Sequence, residues 1–167
     1  RSTVAIRKPG DAIAAGVALV PEARATQGII PAHSVASNMI LAVIDRLSAG
    51  GLVDTKAAND LTDTQIERLR VKTASRDHAV STLSGGNQQK VVIGKWLATN
   101  HDILILDEPT AGIDIGSKSE IIRLVRELAA AGKGIIMISS ELSELLTACD
   151  RILVMSEGRV HQDLPRE

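Results

Sequence analysis

The stretch DILILDEPTAGID, Asp102 to Asp114, limits the fold more than any other part of the chain. Four aliphatic residues in a row, Ile103 to Leu106, describe a strand buried on both faces rather than one that alternates between core and solvent. Such strands belong to parallel sheets whose faces are covered by helices. VALV (Val17–Val20), stopped by Pro21, and GIIMIS (Gly134–Ser139) repeat the pattern. STVAI (Ser2–Ile6) reads as a further short strand.

Helical segments alternate with these runs. PGDAIAAG (Pro9–Gly16) is a short helix closed by glycine. In SKSEIIRLVRELAAAG, Ile121, Leu124, Val125 and Leu128 form an apolar stripe, Ser117 with Glu120 is expected to make a capping box, and Gly132 ends the helix. SELSELLTA is a short helix, and RILVMSEGRV a terminal hairpin around Glu157–Gly158. The alternation implies an α/β fold with a mostly parallel sheet.

Residues 34–98 break that pattern. Ser34 is a capping-type residue, Val35 to Leu47 carry near-helical apolar spacing, and Asp54 to Val71 and Gln88 to Leu97 make two further helices. We therefore expect residues 1–33 and 99–167 to form the α/β core, and residues 34–98 an inserted helical subdomain without strands. With one tryptophan, no tyrosine and no phenylalanine, the core must be aliphatic. The formal charge of −1 gives no pull toward nucleic acid. The lone Cys149 cannot form an internal disulfide. Histidines 33, 78, 101 and 161 lack ligand spacing.

Two places concentrate chemistry. In STLSGGNQQKVVIGKWL (Ser81–Leu97), Ser84, Gly85 and Gly86 stand just before good helix material, although glycine is costly inside a helix. A helix start offers unpaired N–H groups and partial positive charge, so these residues suit a bound phosphate. They equally suit a plain serine cap with a flexible lead-in. At the end of the Ile103–Leu106 run, Asp107 can hold Mg²⁺ through water and Glu108 can orient or deprotonate an attacking water. The same two acids also fit a merely solvated turn. Ser140 before Glu141 reads as a helix N-cap.

Together, LSGGN and ILILDEPTAGID strongly resemble the ATP-binding-cassette (ABC) ATPases, as their signature, Walker B and D-loop motifs. VALVPEARATQGIIPAHSVASNMIL and IIMISSELSELL extend the likeness. They are similar to the second nucleotide-binding domain of ATP-binding subunits in bacterial ribose, galactose and xylose importers. The resemblance implies a P-loop NTPase (RecA-like) fold, ATP and Mg²⁺ as ligands, Asp107 on the metal, and Glu108 as the catalytic base. It implies nucleotide contacts at Ser84, Gly85, Gly86, Asn87, Glu22, Asp114 and Ser140. Glu22 lies where most cassettes carry glutamine, and Ser140 where most carry the switch histidine. Ala23 departs from the usual Pro-Glu-Asp-Arg loop.

No phosphate loop of the Gly-x-x-x-x-Gly-Lys-Ser/Thr type occurs in the sequence. The resemblance therefore implies a truncated cassette, with that loop, a central strand and a helix upstream, and an inactive isolated piece. Implied partners are a second nucleotide-binding domain, transmembrane permease subunits and, indirectly, a periplasmic sugar-binding protein. The place would be the cytoplasmic side of the inner membrane. The alternative is a catalytically silent cassette domain that lends its signature motif and docks the permease.

Overall fold

The computed structural model describes residues 5–166. Most of the strand expected at Ser2–Ile6 lies outside them, and Ala5 and Ile6 are not in a strand. Helix α1 (Pro9–Ala14) leads through Gly16, at φ +79°, into β1 (Val17–Val20). The positive φ turns the chain sharply, a conformation glycine adopts without strain.

Strand β1 pairs in parallel with the later strand Ile103–Asp107, and that strand pairs in parallel with Gly134–Ile138. Between them the chain forms α2 (Val35–Ile40), the two-residue strands β2 (Ser48–Ala49) and β3 (Leu52–Val53), α3 (Thr55–Leu69) and α4 (Gly85–Leu97). The sheet strands are then β4 (Ile103–Asp107) and β5 (Gly134–Ile138). Helices α5 (Ile115–Ala130) and α6 (Leu142–Ala148) flank β5 in sequence, and the hairpin β6 (Arg151–Ser156) and β7 (Arg159–Pro165) follows.

Several expectations change in detail. Residues 34–98 are not free of strands, because Gly50 and Gly51, both at positive φ, turn the chain into the small β2–β3 hairpin. The helix expected through Leu47 stays α-helical only to Ile40 and continues as a tighter 3₁₀ turn over Leu41–Leu47. Ser34 does cap α2, its hydroxyl accepting from the Ser37 amide at 3.1 Å. One apolar cluster runs through both sequence segments: Val91, Val92 and Ile93 of α4 join Ala18, Val20, Leu104 and Leu106 of the sheet and Ile121 of α5.

Among the described residues the sheet is covered on one face. Ala18, Val20, Leu104 and Leu106 are buried, whereas Leu19, Ile136 and Ile138, which alternate to the other side, stay exposed. The expectation of helices on both faces therefore fails among the described residues. The β6–β7 hairpin forms its own two-stranded sheet, turned at Glu157 and Gly158, both at positive φ.

Candidate functional site

The carboxyl ends of β4 and β5 bring the acids together with the turn before α6. Asp107 is the last residue of β4, opposite Ile138. Glu108 then takes φ +43°, a left-handed conformation that a non-glycine residue holds only when its surroundings fix it. What fixes it is close by. The Glu108 amide donates to the Ile138 carbonyl at 2.9 Å. Its carboxylate accepts from the Ser140 amide at 2.7 Å and from the Ser140 hydroxyl at 3.4 Å. Ser140 is therefore not the cap of α6, whose N-cap position falls to Glu141. Both oxygens of the candidate base are thus held by Ser140.

Behind this pair lies a polar cluster that sequence reasoning missed. Glu144 of α6 is only 7% exposed, and Thr110 only 2%. Glu144 accepts from the Thr110 hydroxyl at 2.6 Å, the Ser139 hydroxyl at 3.0 Å and the Lys118 ammonium at 3.3 Å. Lys118 also pairs with Glu141. Burial, the largest single influence, works to raise the Glu144 carboxyl, but the hydrogen bonds from Thr110, Ser139 and Lys118 together hold it below its usual range. Hydrophobic patterning points the wrong way here. Leu142 and Leu146 are 61% and 59% exposed, while the glutamate between them is buried.

At the start of α4, the phosphate and plain-cap readings of Ser-Gly-Gly separate. Ser84 occupies the N-cap position, yet its hydroxyl accepts no amide of its own helix. Instead it accepts from Asn87 Nδ2 at 2.9 Å. The first helical bond of α4 runs from the Gln88 amide to the Ser84 carbonyl, so the amides of Gly85, Gly86 and Asn87 ahead of it lack a side-chain cap. Ser84 is exposed, and Gly85 half-buried. Asn87 is buried and braced, its Oδ1 accepting from the Lys72 amide at 2.8 Å. Its side chain thus orients Ser84 rather than reaching outward.

Gly86 is buried against α5. A Cβ there would stand 2.3 Å from Ser117 Oγ and 2.4 Å from Ser117 Cβ. Gly86→Ala is therefore expected to cost about 1–3 kcal/mol through overpacking, seen as a lower urea midpoint and partly relieved by Ser117→Gly.

Asp114 has a structural task of its own. It caps α5, its Oδ1 accepting from the Ser117 amide at 2.9 Å and its Oδ2 from the Ser117 hydroxyl at 2.7 Å. The Ser117 amide first, and then its hydroxyl, hold the Asp114 carboxyl below its usual range. The capping box expected from Ser117 and Glu120 does not form, because the helix starts earlier, at Ile115. Glu120 instead accepts from the Lys90 ammonium at 2.7 Å, linking α5 to α4. Glu22 lies exposed in the loop after β1.

The residues present fit the two implied ligands. The Asp107 carboxylate carries no hydrogen bond among the described residues and is free to contact Mg²⁺, which needs only one or two protein carboxylates beside water and phosphate. The uncapped start of α4 fits a phosphate group.

Comparison with known proteins gives this geometry its context. Residues 7–111 match the family model described as ABC transporter. The chain is 48% identical over 160 residues to the xylose import ATP-binding protein XylG of Burkholderia cenocepacia (strain HI2424), covering 96% of this chain and 31% of that protein. It is 48% identical over 164 residues to the ribose import ATP-binding protein RbsA of Rhodopirellula baltica, covering 98% and 32%. The chain thus spans about a third of the length of these relatives. In structure it is similar to the ATP-binding cassette MJ0796, in a dimeric post-hydrolysis state bound to ADP and Pi. That match has a TM-score of 0.75 and 22% identity, and covers 90% of this chain and 63% of the other. With the family model matched from Arg7 to Ala111 and cassette architecture around an uncapped LSGGN helix, the chain belongs to the ABC transporter family.

Proposed function

We propose that this chain is part of a nucleotide-binding domain of a sugar-import ABC transporter, in which ATP binding and hydrolysis drive carbohydrate uptake. The observation that carries the reading is the uncapped start of α4. Its free amides at Gly85 and Gly86, beside the exposed Ser84, make an anion site that this chain does not fill itself. Ser84 and Gly85 serve the terminal phosphate of an ATP held by a second nucleotide-binding domain. Gly86 and Asn87 support them through packing and hydrogen bonding.

Asp107, Glu108, Glu22 and Ser140 serve this domain's own nucleotide. Mg²⁺ bound beside Asp107 would neutralise phosphate charge. Glu108 is the general base there, placed by its left-handed backbone and by Ser140. A serine hydroxyl does not titrate near neutral pH as imidazole does, so it orients the carboxylate without relaying a proton. The pair is therefore asymmetric, with faster turnover at the partner's site. Permease subunits at the membrane, docked on residues 21–50, complete the machine. Among the described residues no helix is long and apolar enough to cross a membrane.

The engagement of both Glu108 oxygens favours a second reading, in which this domain's own site is silent. Glu108→Gln in the complete subunit discriminates. Steady-state ATPase is expected to stay within about twofold of the parent, since one of two sites carries most turnover. A loss beyond tenfold would overturn the asymmetry. Unchanged turnover together with no nucleotide bound at this site would favour the silent domain.

A further inference from the structure

We propose that Arg24 is a positioning residue that ties the Glu22 loop to the signature helix and to the turn after Glu108, and so fixes how Ser84 and Gly85 are presented. The inference rests on the functional reading above and deepens it. Arg24 opens a single π-helical turn, Arg24–Gly28, two residues after Glu22. Such turns are rare and gather at functional places. Its guanidinium is half-buried and forked. One arm donates to the Ala111 carbonyl at 2.8 Å and the other to the Gly112 carbonyl at 3.2 Å. These carbonyls belong to the turn that leaves Glu108, whose own carbonyl accepts from the Ala111 amide at 3.1 Å. The same turn runs on to Asp114, the cap of α5.

The third contact is with the signature. A Cβ built on Gly85 would lie 2.8 Å from Arg24 Nη2, so the missing side chain of Gly85 leaves the space that the guanidinium fills. One planar cation thus joins its own loop to two segments that sequence order keeps far from it. Lysine cannot replace it, because a single ammonium lacks the fixed fork that spans two successive carbonyls.

The test uses the complete subunit, with kcat and KM for ATP measured for Arg24→Ala and Arg24→Lys. Both are expected to lose about tenfold in kcat per folded molecule with KM for ATP within about twofold, the pattern of misplacement rather than lost binding. Methylguanidinium is expected to restore the alanine variant by refilling the fork, but not the lysine variant. Should Arg24→Ala fail to fold, Arg24→Lys keeps the charge and most of the stem, and a kcat loss at an unchanged melting temperature supports the positioning role equally well. In parallel, the melting-temperature loss from Gly85→Ala is expected to shrink in the Arg24→Ala background, because the nearest obstacle has gone. Full kcat in both Arg24 variants, while Ser84→Arg still lowers turnover by about 10²-fold, would overturn the positioning role alone. If Ser84→Arg is also without effect, the functional reading fails with it.

Discussion

In the complete subunit, Ser84→Arg is expected to lower steady-state ATP turnover by about 10²-fold, in line with the loss of a preorganised donor that faces developing phosphate charge. The substitution leaves α4 intact, because the native Ser84 hydroxyl does not cap its helix. It removes the hydroxyl that Asn87 Nδ2 orients at 2.9 Å and places a bulky side chain over the free amides of Gly85 and Gly86. Melting temperature should therefore change little while turnover falls. Ser84→Ala, which removes only the hydroxyl, should lose less. A Ser84→Arg subunit with parental turnover would show that no phosphate approaches the start of α4.

The second large effect is on stability. Glu144→Ala is expected to cost on the order of 2 kcal/mol, chiefly because it strips the acceptor from a buried hydroxyl, with a smaller share from breaking a part-buried ion pair. Thr110, at 2% exposure, would keep a buried hydroxyl with no acceptor. Lys118 would retain Glu141 as its remaining partner, which limits the loss. The damage should also reach the site, because Ser139 is tied to Glu144 and the next residue, Ser140, holds Glu108. Glu144→Gln, which keeps an acceptor, should cost less.

Acidification separates the charge from the packing. The folded carboxyl of Glu144 lies below the ordinary value of 4.5, so on lowering the pH the unfolded chain takes up a proton before the folded one does. The stability Glu144 contributes is thus present above about pH 4.5 and is lost as pH falls toward its folded pKa. Urea unfolding of the parent and of Glu144→Gln at pH 7 and pH 4 checks this. The parent should lose more stability between the two, and equal losses would remove the charge from the account.

How much of this was legible in the sequence depends on the distance over which the relevant physics acts. The runs of β1, β4 and β5 were readable because an uninterrupted aliphatic segment bounded by glycine, acid or proline has few other stable forms. Ser34 capped its helix and Glu157–Gly158 turned the hairpin for equally local reasons. The LSGGN and DEPT segments located the candidate site.

Neighbouring alternatives were another matter. Asp114 and Ser117 are both good caps, and the choice fell to Asp114, with Ser117 lying against Gly86 of another helix. Ser140 looked like a cap, yet it turned to Glu108, 32 residues away.

By itself, then, the sequence determined the α/β class, the order of the main elements and the two motifs of the candidate site. Only the tertiary structure decided what each polar side chain does there. Arg24 reaches a carbonyl 88 residues along the chain, and Glu144 is buried while its leucine neighbours face solvent. The physical reason is that strand, turn and cap preferences are set by neighbouring residues, whereas a hydrogen bond across the fold depends on which backbones the packed core brings within about 3 Å of each other.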